Sequence, residues 1–139
     1  MNVRSDIFSG FGESSDRSSG VHQGVDYLTS IGTGVAAADD GFVALKGTSS
    51  TWGNYVVLGH KNADGDVVSY TAYMHLSDVS VGPGRAVSAG GAIGRSGDSG
   101  NAKGTPEHLH FEIWTSLDAA KRGTGLNHRE DPAEHLPKP

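Results

Sequence analysis

The chain has 139 residues, of which 35% are hydrophobic and 19% are charged, and its formal net charge is -5. This composition is typical of globular proteins. The chain is long enough to bury roughly two-thirds of the surface that it would expose when unfolded. The acidic balance and the absence of a Lys and Arg cluster argue against nucleic acid as a partner. The lack of cysteine excludes disulfides, thiolate zinc sites and a cysteine nucleophile. No apolar run approaches the ~20 residues of a membrane span, and residues 1–15 lack the apolar core of a signal peptide.

Short strand-like segments recur about every ten residues and are separated by glycine-containing turns. They cover residues 41–46, 54–58, 66–74, 86–87, 92–93 and 109–114. Residues 56–76 read as a β-hairpin with its loop near residues 62–65, and helix is limited to about one turn from Ser116. The sequence therefore predicts an all-β fold, mainly an antiparallel sheet, in one domain over residues 1–139 with its core at about 9–136 and short flexible ends.

The segment "EHLHFEIW" alternates as a strand with one buried face would. Leu109, Phe111 and Ile113 lie on the expected core face, so His108 and His110 are predicted side by side on the opposite face, together with Glu112 and Trp114. Glu112 is interpreted as a partner of a neighbouring group or a support for a histidine, rather than as a metal ligand. Three of the seven histidines, His60, His128 and His135, are interpreted as surface or hydrogen-bonded core residues.

Two sequence segments that contain the other histidines can contribute to a metal site. In "HQGVD", His22 and Asp26 would be about 13 Å apart in an extended chain, and a bend at Gly24 would bring them together. With His108 and His110 they supply enough ligands for a catalytic zinc ion, which takes three protein ligands and a water. The chain has no HExxH motif, so a helical zinc protease site is excluded.

A further histidine, His75 of "YMHL", is predicted to end a strand, with Met74 and Leu76 facing the other way. At the mouth of a groove it could hydrogen-bond a reacting carbonyl oxygen or a metal-bound water. The glycine-rich segment "SGDSGNAKG" at residues 96–104 lacks the Lys and Ser or Thr of a phosphate loop and is interpreted as a flexible turn.

The order of these motifs resembles that of the M23 family of zinc metallopeptidases, the lysostaphin- and LytM-like peptidoglycan endopeptidases. The resemblance covers about residues 9–136 and rests on "SGFG", "HQGVD", "GTGVAAADDGFV", "YMHL", "AIGRSGDSG", "HLHFEI" and the closing "EDPAEHL". It implies a mainly antiparallel sheet whose concave face forms a groove, walled by loops, for an extended peptide. It also implies hydrolysis of the peptide cross-links of bacterial peptidoglycan with one Zn²⁺ per chain.

Carried over by residue, the resemblance makes His22, Asp26 and His110 the zinc ligands and His75 and His108 the catalytic histidines. We expect His108 to act as the general base and His75 to stabilise the oxyanion, although the two roles could be exchanged or shared. The segment "GESSDRSSGV" lacks the tyrosine that lysostaphin-like members carry before the first zinc histidine.

The sequence leaves several alternatives open. The scissile bond could lie in a glycine bridge or next to a D-amino acid, and the protein could be a phage lysin or the domain of a secreted protein. In either case we expect a monomer that acts on the bacterial cell wall, with no signal peptide in this chain. The main alternative is a non-catalytic peptidoglycan-binding or scaffolding module. A carrier domain with a modified lysine is a third option, which an unmodified intact mass would exclude, and Lys46 lies near a strand end rather than at a hairpin tip.

Overall fold

A computed structural model of the chain describes residues 7–9, 25–28, 32–100, 108–117 and 129–130. Its elements are ten β-strands: β1 (Ile7–Ser9), β2 (Val25–Leu28), β3 (Gly34–Ala36), β4 (Gly41–Ser49), β5 (Gly53–Lys61), β6 (Val67–Val79), β7 (Ala86–Val87), β8 (Ala92–Ser96), β9 (His108–Trp114) and β10 (Arg129–Glu130). The predicted all-β fold is confirmed. Within the described residues, no helix has the length and apolar character needed to cross a membrane.

The strands form one curled antiparallel sheet with the path β1-β2-β9-β6-β5-β4-β7. Strand β10 pairs with β9, and β8 pairs with both β3 and β6. All six predicted strands are present, several of them longer than predicted, whereas β1, β2, β3 and β10 were not predicted. The long strand β6, with 13 residues, contacts β5, β8 and β9 and therefore forms the centre of the sheet.

The predicted hairpin joins β5 to β6. Gly65 adopts a φ of 86°, which favours glycine, and its N–H donates to the Asn62 carbonyl at 3.0 Å. The Asn62 side-chain oxygen accepts from the backbone N–H groups of Asp64 and Asp66, both at 3.0 Å. The turn is therefore closed by the asparagine side chain as well as by backbone bonds.

Both faces of the central strands are buried. The first core cluster includes Val56, Leu58, Tyr73, Leu109 and Phe111 on one face of the sheet. The second core cluster, on the other face, consists of Val57, Ala72, Met74 and Trp114, with partly buried side chains around it. The prediction that only one face of β9 is buried is therefore wrong: Glu112 and Trp114 are at most 1% exposed, because the curled sheet covers this face too.

A β-bulge interrupts β6 next to His75. Asn54 pairs with Leu76 and Val56 pairs with Tyr73, so β6 has one more residue than β5 between these two pairs. His75 has a φ of 63°, the one positive φ among the non-glycine residues that the structure describes. The bulge breaks the alternation, since Tyr73 and Leu76 both pack in the first core cluster.

His75 consequently differs from its prediction in two respects. It lies inside β6 rather than at its end. Its ring approaches that of His110 on the face of Met74, whereas Met74 had been predicted to face the other way. A strict period of two cannot anticipate this, because the extra residue of the bulge shifts the side chains that follow it.

Candidate functional site

The backbone register aligns candidate residues of three strands. Asp26 of β2 is paired with His110 of β9, and His110 is in turn paired with Met74 of β6. Directly paired positions of an antiparallel ladder share a face of the sheet, so positions 26 and 110 lie on the same face. His108 is paired with Leu28 and begins β9. The sheet thus brings sequence positions 26, 108 and 110 together across two neighbouring strands.

The bulge adds His75 to this group. The ring centroids of His75 and His110 are 5.8 Å apart and their planes are inclined by 58°. The His75 ring is held by a hydrogen bond of 2.8 Å between its Nδ1 and the carbonyl of Ser99, and its backbone N–H donates to the carbonyl of Trp52 at 2.8 Å. Since a carbonyl only accepts, Nδ1 carries the proton, and the neutral ring has its lone pair on Nε2.

Glu112 organises a buried polar network beside His110. One of its carboxylate oxygens accepts a hydrogen bond from His110 Nε2 at 2.7 Å. The other accepts from the indole Nε1 of Trp114 and from Nε of Arg129, each at 2.7 Å. The guanidinium of Arg129 also lies 5.7 Å from the ring centroid of Trp114, within the range of a cation–π contact. This confirms the interpretation of Glu112 as a support for a histidine.

The environment keeps Glu112 ionised. Burial alone would raise the pKa of its carboxyl group, but the hydrogen bonds and charges of His110 and Arg129 outweigh burial and hold this pKa below its usual range. The carboxylate therefore takes the N–H of His110 Nε2 as its donor, so Nδ1 is the ring nitrogen that could bind a metal when the imidazole is neutral. Metal-binding histidines are commonly oriented in this way by a carboxylate on the other nitrogen.

Aromatic side chains of the second core cluster, and others packed against it, border the site. The rings of Trp52 and Tyr55 meet edge to face with centroids 5.0 Å apart, and Trp52 also lies 5.7 Å from Trp114. Trp52 and Tyr55 are only partly buried, whereas Trp114 is fully buried. Because the Trp52 carbonyl binds the His75 backbone, this aromatic surface starts directly beside the candidate catalytic residues.

Not every predicted site residue is described. His22 lies outside the described residues, and of Asp26 and His108 the structure describes the backbone positions. Among the described side chains no group of three His, Asp or Glu residues is arranged to hold a metal ion. His60 behaves as predicted, as a hydrogen-bonded core residue that is 6% exposed. His128 and His135 also lie outside the described residues, as does the predicted turn of helix beyond Leu117.

Two supporting residues were missed. Arg129 lies 17 residues after Glu112, too far for any local spacing to connect them. Ser99 belongs to the segment predicted to be a flexible turn, yet residues 96–100 are anchored by the hydrogen bonds of Ser99 to β5 and β6. The glycine-rich composition of this segment gave no signal for the anchoring, because the partners of Ser99 are backbone groups distant in sequence.

Two curated relatives match the part of the chain that carries these residues. The peptidoglycan DD-endopeptidase ShyA of Vibrio cholerae serotype O1 is 40% identical over 92 residues, which are 66% of this chain and 20% of that protein. The glycyl-glycine endopeptidase ALE-1 of Staphylococcus capitis is 40% identical over 98 residues, which are 70% of this chain and 25% of that protein. The chain thus spans only a fifth to a quarter of the length of these relatives.

A solved structure matches nearly the whole chain. The catalytic domain of the antimicrobial peptidase lysostaphin from Staphylococcus simulans superposes with a TM-score of 0.77 at 33% identity, covering 93% of this chain and 90% of that domain. The family model for peptidase family M23 matches residues 20–124, which include the strands that carry Asp26, His75, His108 and His110. The chain belongs to peptidase family M23.

Proposed function

We propose that the chain is a zinc-dependent endopeptidase that hydrolyses the peptide cross-links of bacterial peptidoglycan at the cell wall. The observation that carries this proposal is the juxtaposition of Asp26, His110 and His75 on neighbouring strands, with His110 oriented by a buried carboxylate. Membership of peptidase family M23 supports the reaction class. The names of the two relatives support peptidoglycan as the substrate.

The residues fit a zinc ion chemically. A carboxylate and two imidazoles, from Asp26, His22 and His110, form a donor set that zinc accepts, and the chain offers no thiolate that would make a closed structural site. The carboxylate of Glu112 on His110 Nε2 directs the opposite nitrogen of the ring outward as a ligand. When bound, zinc would lower the pKa of a coordinated water to near neutrality and polarise the scissile carbonyl.

The remaining histidines handle protons. His108 accepts the proton of the attacking water and delivers it to the amine that leaves when the peptide bond breaks. His75 has its Nδ1–H committed to the Ser99 carbonyl, so its Nε2 faces the reaction either as a proton acceptor or, once protonated, as a donor to the developing oxyanion. The two histidines could exchange these roles, because both act from the same side of the sheet.

The aromatic surface of Trp52 and Tyr55 offers a place for an extended peptide next to His75. Aromatic rings bury apolar area at little cost in conformational entropy. The relatives do not decide between the two possible scissile bonds, since one is named for DD-peptide bonds and the other for glycyl-glycine bonds. We therefore propose that the cleaved bond belongs to one of these two classes of cross-link.

The test is mass spectrometry of purified sacculi after digestion by the zinc-loaded protein, using one wall with glycine bridges and one with direct cross-links. New glycine amino termini would identify a glycyl-glycine endopeptidase, and new amines on diaminopimelate or lysine would identify a cross-link endopeptidase. The absence of new ends in both walls, together with tight sacculus binding, would reject the proposal in favour of a binding module.

Two variants separate metal binding from proton transfer. His108→Ala should retain zinc but lose hydrolysis, typically by a factor of about 10²–10⁴ for a general base. Asp26→Ala should lose both zinc and hydrolysis, because it removes a charged ligand. Zinc content by elemental analysis and amine release from sacculi are measured on the same samples. Hydrolysis by either variant at close to the wild-type rate would overturn the assignment of these residues.

A further inference from the structure

The segment before Gly100 packs tightly against the bulge that carries His75. Gly53 and Gly100 adopt φ values of 65° and 71°, and their backbones touch so closely that a Cβ atom on either would collide with the other segment. Gly97 packs equally closely on Ser77, where an added Cβ would lie 2.6 Å from the backbone nitrogen. Residues 97–100 are therefore fixed against the start of β5 and the C-terminal part of β6.

Within this segment, the Ser99 hydroxyl bridges the two strands that form the bulge. It accepts a hydrogen bond from the backbone N–H of Asn54 at 3.0 Å and donates one to the carbonyl of Leu76 at 2.7 Å. Asn54 and Leu76 are the residue pair that borders the bulge. The Asn54 side-chain amide also donates to the Leu76 carbonyl, at 3.0 Å. The hydroxyl thus ties Ser99 to the distorted part of the ladder.

The backbone carbonyl of the same residue holds the His75 ring. Its oxygen accepts from His75 Nδ1 at 2.8 Å. The two hydrogen bonds of the Ser99 hydroxyl therefore set the position of the Ser99 carbonyl. This carbonyl in turn selects the tautomer and the orientation of the His75 ring. His75 also has a backbone with positive φ, a conformation that non-glycine residues rarely adopt, so its conformation depends on such neighbouring contacts.

We infer that Ser99 is a positioning residue for His75: its hydroxyl anchors the 97–100 segment to the β5–β6 bulge, so that its carbonyl keeps His75 in the Nδ1–H tautomer with Nε2 facing the reaction site. The inference deepens the proposed function and rests on it for the role of His75 in hydrolysis. The tautomer itself can be measured without any substrate.

The test combines nitrogen NMR of the histidine side chains with kinetics on purified peptidoglycan fragments. At mildly alkaline pH, wild-type His75 should show a protonated Nδ1 and an unprotonated Nε2. Ser99→Ala should convert this pattern to a mixture of tautomers and lower kcat about tenfold, because small misplacements of a reacting group are costly. KM should remain unchanged, since a residue that acts through His75 leaves substrate binding intact.

Matched variants make the test specific. Ser99→Thr keeps a hydroxyl and should restore the wild-type tautomer and kcat. Ser77→Ala removes a neighbouring serine hydroxyl that contacts the Arg95 carbonyl at 3.3 Å on the surface, so it should alter neither quantity. Because the wild-type tautomer is a prediction in itself, the inference stays testable even if Ser99→Ala folds poorly.

Several outcomes would overturn the inference. These are a wild-type His75 protonated on Nε2, an unchanged tautomer in Ser99→Ala, or a loss of activity in Ser99→Ala without a change of tautomer. If instead the tautomer responds as expected while the wild-type protein releases no peptidoglycan ends, the positioning of His75 by Ser99 is supported and the proposed function is rejected. The two hypotheses can therefore fail separately.

Discussion

Two buried histidines on opposite faces of the same sheet differ in the charge of their partners. His60 contacts the Asp40 carbonyl with Nδ1 and the Thr71 hydroxyl with Nε2, at 2.8 and 2.7 Å. His110 instead contacts the carboxylate of Glu112, which Arg129 and Trp114 hold from the other side. Burial is similar, with 6% of His60 and 9% of His110 exposed. Burial alone therefore does not distinguish a structural histidine from a candidate metal ligand.

The two histidines differ in the chemical groups that make up their hydrogen-bond networks. The His60 network runs from the backbone carbonyl of Asp40 through the Thr71 hydroxyl to the hydroxyl of Tyr73 and the Ala38 N–H. It satisfies polar groups inside the first core cluster, and none of these contacts is to a carboxylate. The Glu112 carboxylate of the other network fixes one nitrogen of His110 and adds negative charge next to a position where a cation would bind. A buried charged network of this kind is costly unless all its partners are present.

The largest expected effect comes from breaking the charged network at its centre. Glu112→Ala would remove the carboxylate that Nε of Arg129 and Nε1 of Trp114 contact, so we expect a loss of about 3–5 kcal/mol in the free energy of unfolding. Glu112→Gln is the matched control, which keeps the shape and some of the hydrogen bonds and should lose less. Urea denaturation of the three proteins measures this difference. Equal stability of Glu112→Ala and wild type would contradict the central role of this carboxylate.

The His60 network should respond to alkaline pH through Tyr73. Burial, the largest influence, raises the pKa of Tyr73 from 10.0 to about 12. The unfolded chain loses this proton first, so the stabilisation is complete below pH 10 and is lost as the pH rises toward 12, by about 2–3 kcal/mol in total. Urea denaturation between pH 9 and pH 12 should show this decline in wild type.

Tyr73→Phe isolates that contribution. The variant should be about 1–3 kcal/mol less stable at neutral pH, because the Ala38 N–H and the Thr71 hydroxyl lose a partner. Its decline in stability above pH 10 should be smaller than that of wild type. If both proteins declined in parallel, the ionisation of Tyr73 would not be the cause. Zinc content should be unchanged, because Tyr73 packs in the first core cluster, on the face opposite His110.

The sequence predicted the strands better than the environment of the site. The alternation of β9 and the turn chemistry at Asn62 and Gly65 are local signals, and both strands of the hairpin and β9 were found where predicted. The burial of each face of the sheet was harder to predict. The curled sheet buries Glu112 and Trp114 as well as the opposite face, which an alternating pattern with polar residues on one face does not reveal.

The parts of the site that escaped prediction depend on long-range contacts. The β6 bulge places His75 beside His110 by adding one residue to the ladder, and no residue of "YMHL" marks that insertion. Arg129 reaches Glu112 across the β9–β10 pairing, and Ser99 reaches β5 and β6 through backbone groups. The roles proposed for His22, Asp26, His75, His108 and His110 came from the order of motifs, and they remain predictions.

The most direct test of the account is the zinc content of purified protein after dialysis, compared between wild type, His110→Ala and His60→Gln. We expect about one zinc ion per chain in wild type and in His60→Gln, and far less in His110→Ala, because of these two histidines only His110 has a carboxylate on one ring nitrogen. If His110→Ala retained the full zinc content, or if wild type bound none, the assignment of the metal site to this face of the sheet would be wrong.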